Sequence, residues 1–544
     1  MSIWTWLGAV FPILFLFLMM SVFHMKTERA AFLGIICAMI SAILIGKSTP
    51  QIVTMDLEKG AFSALNILIV IWPAVFLYEM MEFAGVFQSI KQMLQKKTQD
   101  ELVMVLLICW LFSSFLQGIT GFGVPVAVCA PILIALGVQP LWSVIITLLG
   151  HAWANTYGTF ALAWDALITQ SETQKIFETK WLAGLLLLGV NFAGALLISW
   201  LYGKGKALRH ILPFLLIISL VQGGGQLIVS FTNSAIAAFI PTTLALVVVG
   251  WLILSAGFYT KPWKMDSKLM VRRENEEIEK QLNKTITTEQ LVEVKENSFN
   301  KPITNGQAIF PFIILAAISV IVLLIKPIHE VMNQTIFALS FPQIETGRGF
   351  IVEATDSYGA IHIFTHAGFV LLLTVIVTLF LYLQKGYLDK QKIKSIITAT
   401  LKKIIPTSLG ILFLIVMSQV LKGSGIMQLI AQGVTQLTGK YYSFAVPFLG
   451  LLGAFVTSSN TSSNILLGSF QKTAADMISV NEAAILAAQT AGGAIGTVVG
   501  PSTILLGTTT AGCEGKEGEV LRFMLPIVLV EAAITGIVIT VLIH

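Results

Sequence analysis

Apolar runs long enough to cross a lipid bilayer follow one another along almost the whole 544-residue chain. A transmembrane helix needs about 20 mainly apolar residues, and many windows of this chain meet that length. Only 12% of the residues are charged, which is about half of the roughly 25% that is usual in soluble domains. The sequence therefore predicts an all-α polytopic membrane protein.

About twelve of these runs are predicted to be transmembrane helices. Two further runs, 102–137 and 443–478, are interrupted by polar residues and are predicted to be re-entrant hairpins, which enter and leave the membrane on the same side. The predicted spans are residues 3–23, 29–46, 62–84, 141–163, 181–201, 210–230, 237–258, 307–325, 361–384, 404–422, 482–511 and 522–543.

Lys and Arg are distributed unevenly between the loops on the two sides. One set holds sixteen of them, and the opposite loops hold eight. The richer set comprises loops 24–30, 85–100, 203–209, 385–403 and 514–522. Because basic residues concentrate in cytoplasmic loops, this set is predicted to be cytoplasmic and both termini to face outside. The scheme requires both interrupted runs to be hairpins, since a full span at either place would reverse the loops downstream.

The order of elements in residues 1–258 is repeated in residues 307–544. In each half a short matching stretch, Gly85–Ile90 or Gly425–Ile430, precedes a predicted hairpin and then a second interrupted span. The charge bias gives the halves opposite orientations, so they are predicted to be inverted repeats. Residues 259–306 form a polar cytoplasmic connector between them, either passive or with a regulatory or lipid-contacting role.

Both predicted hairpins are interrupted by small and polar residues. The first reads FLQGITGFGVPVAV at 115–128, and the second reads TSSNTSSN at 457–464. Broken backbone at membrane depth persists only inside protein or beside a water-filled cavity. Paired interruptions in inverted halves indicate the substrate site of a secondary transporter. Helix N-termini at such breaks favour anions, although glycines also serve close helix packing.

The candidate site residues are the uncharged polar and glycine residues at these breaks, together with two titratable groups. His151 and Asp165 are the candidates for proton coupling. The predicted substrate-binding residues are Gln117, Thr120, Gly121, Gly123, Asn155, Thr156, Ser459, Asn460, Thr461, Ser462, Ser463, Asn464, Thr497 and Ser502.

Other classes of function find little support in the residues. An enzyme would need a nucleophile with a base, or a metal set, at depth, and His151 is the only obvious base near the breaks. The four cysteines lack CxxC spacing, so neither a metal site nor a disulfide framework is expected. No basic patch with interleaved aromatic residues points to nucleic acid. The expected partners are the bilayer and a small solute, with no cofactor beyond a coupled ion.

The interrupted segments and their surroundings resemble the lactate permease family of bacterial membrane carriers. The resembling stretches are IWPAVFLY (71–78), GFGVPVAV (121–128), ANTYGTFA (154–161), TSSNTSSN (457–464), AAQTAGGAIGTVVGPS (487–502) and EGKEGEVLRF (514–523). The resemblance implies uptake of a small hydroxy monocarboxylate, lactate or glycolate, by proton symport across the plasma membrane. It also implies an ion-transporter-like fold with two inverted repeats and an elevator-like motion.

Three positions depart from the family pattern together. Gln117, Asn460 and Thr497 stand where the family usually has Glu, Asp and Lys. An intramembrane acid is the default proton carrier, and an intramembrane Lys is a natural partner for a carboxylate. Their joint replacement leaves two alternatives open. One is a sodium-coupled carrier for another small organic anion, and the other is a passive channel or facilitator that uses the breaks as a filter.

Overall fold

Helices make up almost all of the described structure, as expected for segments that must satisfy their backbone hydrogen bonds in lipid. The computed structural model describes residues 2–23, 25–87, 89, 99–121, 123–254, 257–271 and 303–543. Within these ranges, eleven helices are long and apolar enough to cross a membrane, which confirms a polytopic helical protein. Most of the predicted connector 259–306 lies outside the described residues, as do residues 90–98 of the predicted loop 85–100 and Gln88 of the repeated stretch.

The principal helices are numbered here in chain order. They are α1 (Ile3–Ser21), α2 (Thr27–Leu44), α3 (Pro50–Phe83), α4 (Glu101–Ile119), α5 (Val124–Ala135), α6 (Pro140–His151), α7 (Gly158–Ser171), α8 (Ile176–Thr232), α9 (Phe239–Leu254), α10 (Phe310–Ser319), α11 (Lys326–Met332), α12 (Ala367–Gln384), α13 (Lys390–Gly423), α14 (Ile426–Thr438), α15 (Tyr442–Thr457), α16 (Asn460–Met477), α17 (Glu482–Thr497), α18 (Pro501–Thr510) and α19 (Glu517–Ile543).

The number of spanning helices differs from the predicted twelve for identifiable reasons. Residues 176–232 are counted as one spanning helix, α8, although non-helical backbone at Gly203 and Lys204 divides it into two segments that correspond to the predicted spans 181–201 and 210–230. The predicted span 141–163 is divided into α6 and α7, which are 12 and 14 residues long and each too short to cross alone. In contrast, α4 is long enough to be counted as a span.

A small β-structure, which the sequence did not predict, occupies residues 336–362. Strand β1 (Ile336–Phe341) pairs antiparallel with β4 (Thr355–His362), and β2 (Ile344–Glu345) pairs with β3 (Ile351–Val352). The prediction of a span starting at 361 is therefore wrong at its beginning. Helix α12 starts at Ala367 because the preceding His366 caps it, with its Nδ1 accepting a hydrogen bond from the Gly368 N–H at 3.2 Å.

Two groups of helices are defined by their mutual packing. In the first group, α13 packs along α2 and α3, α12 packs on α3, and α1 packs on α2. The second group comprises α4–α7 and α15–α18, with α17 packed against α15, α16 and α8. Small residues allow the closest approaches in the second group: a Cβ at Gly492 would lie 2.1 Å from the Pro447 carbonyl oxygen.

Each predicted hairpin is a helix, a short turn and a second helix. In the first helical hairpin, α4–α5, the turn contains Gly121 and Gly123 with positive φ angles of 57° and 77°. In the second helical hairpin, α15–α16, the turn is formed by Ser458, with φ 53°, and Ser459. The two helices of each hairpin pack on each other, so the chain folds back at both sets of polar residues identified in the sequence.

Two further interruptions divide the helices that follow the hairpins. Between α6 and α7 the chain forms a 3₁₀ turn at Ala152–Asn155, and the first turn of α7 has left-handed backbone at residues 159–161. Between α17 and α18 the helix ends after Thr497 and restarts at Pro501. The predicted break at 492–497 is therefore placed too early. The helix continues to Thr497 because its glycines pack on α15, and the residue before a proline disfavours helical backbone.

Candidate functional site

The interruptions of both halves line one cavity of about 360 Å³ between the two groups of helices. The second group contributes most of its wall, and α2 and α13 of the first group contribute the facing wall. The residues of the second group are Gln117, Gly123, His151, Asn155, Gly158, Thr159, Leu162, Thr457, Ser458, Ser459, Asn460, Thr461, Ser462, Thr497, Ser502, Thr503 and Leu506. The facing residues are Thr27, Glu28, Pro406, Thr407, Gly410 and Ile411.

Three helices begin at this cavity. Gly123 precedes α5, Ser459 precedes α16, and Ser502 lies in the first turn of α18. The first-turn N–H groups of a helix have no partner within the helix, and the helix dipole adds partial positive charge there. Two of these first-turn N–H groups already donate hydrogen bonds within the protein. The Ser462 N–H donates to Ser459 Oγ at 3.2 Å, and the Ser502 N–H donates to Ser458 Oγ at 3.1 Å.

A buried network of hydroxyl and amide groups lies behind the turn of the second hairpin. Asn460 Nδ2 donates to Thr156 Oγ1 at 3.2 Å and lies 3.4 Å from Thr490 Oγ1. Asn464 Nδ2 donates to Thr490 Oγ1 at 2.9 Å and to the Ala163 carbonyl at 2.8 Å. Thr490, in the middle of α17, thus joins α16 to the interruption between α6 and α7. Thr490 is not among the site residues predicted from the sequence.

Two oxygen atoms of this network have no hydrogen-bond partner among the described residues. They are Oδ1 of Asn460 and Oδ1 of Asn464, whose side chains are 3% and 0% exposed. The orientation of the Asn464 amide is fixed because a carbonyl such as that of Ala163 can only accept, so the atom facing it is Nδ2. A buried acceptor without a partner costs about 1–3 kcal/mol, so each oxygen would be stabilised by a group that donates a hydrogen bond or carries positive charge.

His151 ends α6 and lines the cavity while being only 2% exposed. Its Nδ1 lies 2.7 Å from the carbonyl oxygen of Thr147. The carbonyl can only accept, so Nδ1 carries the hydrogen in the neutral ring and Nε2 is the free acceptor. Asp165, the other candidate for proton coupling, lies in α7 and does not line the cavity.

The remaining predicted residues divide between the cavity and its surroundings. Thr120 lines a smaller neighbouring cavity of about 270 Å³ that Lys403 also lines. Gly121 lies behind the cavity wall and packs against the lining residue Thr159, since a Cβ at Gly121 would lie 2.1 Å from Thr159 Oγ1. Thr156, Ser463 and Asn464 are buried behind the lining. The predicted residues that do line the cavity are Gln117, Gly123, His151, Asn155, Ser459, Asn460, Thr461, Ser462, Thr497 and Ser502.

The facing wall of the cavity was not identified from the sequence. Among the described residues that line the cavity, Glu28 of α2 has the only carboxyl group, and none is Lys or Arg. Glu28 stands in the first turn of a strongly apolar helix, whereas residues 24–30 were predicted to be a cytoplasmic loop. No local pattern shows that α2 faces the interruptions, because that contact joins residues far apart in the chain.

Comparison with known proteins places these features in one family. The sequence model of the L-lactate permease family matches residues 5–544. The L-lactate permease of Halalkalibacterium halodurans is 26% identical, over 95% of this chain and 93% of the relative. The L-lactate permease of Streptococcus iniae is 26% identical, over 87% of this chain and 91% of the relative. The glycolate permease GlcA of Escherichia coli is 26% identical, over 98% of this chain and 94% of the relative.

These relatives are named as permeases, which are transporters and not enzymes. The match extends over almost the full length of each relative, so it covers both hairpins and the interrupted helices that line the cavity. Together with the eleven apolar helices, it identifies a multi-pass transport protein of the plasma membrane. The chain belongs to the L-lactate permease family.

Proposed function

We propose that this protein takes up a small hydroxy monocarboxylate, lactate or glycolate, by proton symport. The observation that carries the proposal is the cavity into which the interruptions of both halves project, with the starts of three helices in its wall. A helix start is a site for an anion because its N–H groups and its dipole both favour negative charge. The names of the relatives, lactate and glycolate permeases, supply the class of anion.

The bound solute is held by neutral groups. Its carboxylate accepts hydrogen bonds from first-turn N–H groups and serine hydroxyls of α16 and α18. Its 2-hydroxyl group is within the reach of the amides of Gln117 and Asn460, which line the same cavity. Neither Lys nor Arg is needed, because oriented N–H dipoles in a water-poor site stabilise an anion more strongly than they do in bulk water.

His151 is the proposed carrier of the coupled proton. Its Nδ1 is engaged with the Thr147 carbonyl, so a proton taken up at Nε2 gives an imidazolium that faces the cavity. The positive charge then lies beside the carboxylate of the solute, and each stabilises the other. Asp165 does not line the cavity, so the coupled proton is carried by His151 alone.

Transport is proposed to follow an elevator-like motion of the second group past the first group. The cavity lies between these groups, so a displacement of one along the other would change the side to which the solute is exposed. In this mechanism α4–α5 and α15–α16 are re-entrant hairpins of two inverted repeats, as the charge bias of the loops predicts.

Sodium coupling is the second candidate, and a specific observation favours it. The Oδ1 atoms of Asn460 and Asn464 are buried and have no partner among the described residues. Amide and carbonyl oxygens are ligands for hard cations, and a cation next to the anion would neutralise it in the same way as the imidazolium. The two candidates differ in the residues involved, His151 for the proton and Asn464 for sodium.

Uptake of labelled lactate and glycolate into proteoliposomes tests the proposal. A proton gradient alone should drive accumulation, and an uncoupler should abolish it. His151→Gln should lose proton-driven accumulation while retaining exchange of labelled for unlabelled solute. Accumulation driven only by a sodium gradient, and lost in Asn464→Leu, would instead establish the second candidate. Entry without accumulation under either gradient would indicate a channel, and no entry of either solute would overturn the proposed substrate class.

A further inference from the structure

The first described stretch of the connector is bound to the protein. Residues 257–271, called the strap here, run across the base of the first helical hairpin, α4–α5. Ser267 and Leu269 of the strap are buried, at 3% and 0% exposed. The predicted connector therefore begins with a segment that has fixed partners in the fold.

The strap pairs with the chain that leaves the hairpin. Met270 is the antiparallel bridge partner of Val138. The Gln139 N–H donates to the Leu269 carbonyl at 2.8 Å, and the Val271 N–H donates to the Gly137 carbonyl at 2.8 Å. Gln139 Nε2 also donates to the Met270 carbonyl at 3.3 Å. These bonds form a short two-stranded ladder immediately after α5.

The strap also pairs with the chain that enters the hairpin. Trp263 is the parallel bridge partner of Asp100, and the Glu101 N–H donates to the Trp263 carbonyl at 3.0 Å. The indole of Trp263 stacks on the imidazole of His210, with ring centroids 4.0 Å apart and an interplanar angle of 11°. The strap thus contacts both ends of α4–α5 through main-chain hydrogen bonds.

Asp100 links this cluster to the first turn of α4. Its Oδ1 accepts from the Val103 N–H at 3.1 Å and caps the helix, while its Oδ2 lies 2.6 Å from His210 Nε2. Next to it, the Tyr202 hydroxyl donates to Glu101 Oε1 at 2.5 Å. Tyr202 and His210 flank the kink of α8 at Gly203 and Lys204. The start of α4 is thereby held between the strap and α8.

We propose that the strap is a positioning element of the solute site, which moves with the first helical hairpin as one unit and fixes the location of its turn. The hairpin contributes Gln117 and Gly123 to the cavity. Helix α4 has 19 residues and is about 28 Å long at 1.5 Å per residue. A tilt of about 5° at its base would displace the turn by roughly 2 Å, and misplacement by about 1 Å can cost a hundredfold in rate at a reacting site.

A reversible cross-link tests whether the strap and hairpin move together. Val138 and Met270 form a pair flanked by hydrogen bonds, the closer kind of antiparallel pair, which suits a disulfide. Val138→Cys/Met270→Cys is made in a background whose native cysteines are replaced by alanine, with each single cysteine variant as control. The disulfide should leave lactate uptake within twofold of the reduced protein. Uptake that is lost on oxidation and returns on reduction would show that the strap must separate from the hairpin, and would overturn the proposal.

Variants of Trp263 test the positioning role. Trp263→Ala should raise the KM for lactate three- to tenfold in protein that elutes as a single species with unchanged thermal unfolding. Trp263→Phe, which keeps a ring over His210, should restore most of the affinity. A lower yield or melting temperature with an unchanged KM would reduce Trp263 to a structural role and overturn the proposal. This readout rests on the proposed function. Unmodified protein in the same vesicles distinguishes a failure of the proposed function from a failure of the positioning role: if the unmodified protein takes up no lactate, the proposed function fails.

Discussion

Lys422 and Glu172 form an ion pair, with Lys422 Nζ 2.8 Å from Glu172 Oε1. Lys422 lies at the end of α13, in the first group, and Glu172 directly follows α7, in the second group. Nearby, Ser418 Oγ donates to Gln170 Oε1 at 3.1 Å. Ile411 of α13 lines the cavity, and Lys422 lies about 16 Å further along the helix at 1.5 Å per residue. The two groups are therefore in direct contact beyond one end of the cavity.

A cross-link at this ion pair should stop transport. The pair is partly exposed, so its charges contribute at most about 1 kcal/mol, and Lys422→Ala should leave thermal unfolding nearly unchanged. A reducible bis-methanethiosulfonate linker, which replaces the reach of the two long side chains, should join the cysteines of Glu172→Cys/Lys422→Cys. The link should abolish lactate uptake into proteoliposomes, because the groups could no longer move past each other. Reduction should restore uptake. Full uptake by the cross-linked protein would contradict the proposed motion, and the cross-link between Val138 and Met270 provides the matched comparison.

Gly493 should not tolerate a side chain. A Cβ at this position would lie 2.1 Å from Asn460 Oδ1, so Gly493→Ala should displace Asn460 and reduce lactate uptake at least tenfold. A clash with the end of an amide side chain costs less stability than one with backbone, and the variant should still fold. Initial uptake rates in proteoliposomes check this, after normalisation to the amount of inserted protein.

Gly189 provides the control for this substitution. It lies within α8, and a Cβ there would have no heavy atom within 4 Å. Gly189→Ala should leave uptake unchanged and raise the free energy of unfolding by about 0.5–1 kcal/mol, since alanine is the better helix former. If both alanine variants lost uptake equally, the effect could not be assigned to the contact with Asn460.

Removal of the polar groups at the two hairpin turns should abolish most of the uptake. Asn460→Ala deletes the amide that contacts Thr156 and Thr490, and Gln117→Ala deletes the amide that the first hairpin contributes to the cavity. Each variant should lower the ratio of maximal rate to KM by roughly tenfold or more, in line with loss of a hydrogen bond to a charged group. Normal kinetics in both variants would contradict the location of the site.

Removal of the negative charge of Glu28 should strengthen binding of the anion. Its carboxyl group is the only one among the described residues that line the cavity, and an anionic solute in the same cavity is repelled by it. Glu28→Gln should lower the KM for lactate about two- to fivefold, an effect that shrinks at high salt as charges are screened. Glu28→Asp, which keeps the charge, is the control. An unchanged KM in Glu28→Gln would place the bound anion out of range of Glu28.

The interruptions could be predicted from sequence because their causes are local. Pro125 and Pro501 stand in the first turns of α5 and α18, where a proline is tolerated because the N–H groups of that turn lack helical partners. Gly121 and Gly123 have positive φ, which few other residues adopt without strain. The bounds predicted for the first interrupted run, 102–137, therefore lie close to those of α4 and α5.

The facing wall and the network behind the cavity depend on contacts between distant parts of the chain. Thr490 belongs to the network because α17 packs against α16 and the interruption after α6, and no pattern around Thr490 reveals these partners. Glu28 faces the interruptions only through packing of α2 on α13. The glycines of α17 were interpreted as a break, whereas they permit close packing on α15, since glycine serves both purposes.

The strands at 336–362 were missed for a related reason. Most of this region falls between the predicted spans 307–325 and 361–384, and its end was predicted to begin the second of them. Phe341 and Tyr358 pack edge to face, with centroids 5.5 Å apart, and Lys59 of α3 lies over both rings. This anchoring on α3 stabilises a two-stranded ribbon that would be marginal on its own, and it cannot be inferred from the ribbon itself.

The uncharged lining of the second group has an electrical consequence. A membrane potential of 100 mV does about 2.3 kcal/mol of work on each elementary charge that crosses it. The part of the wall built from α4–α7 and α15–α18 has no Lys, Arg, Asp or Glu among its described residues, whereas Glu28 stands on the opposing group. A monocarboxylate that crosses with one monovalent cation would then carry no net charge. Uptake would be driven by the concentration gradients alone, and clamping the voltage of the vesicles would leave its rate unchanged.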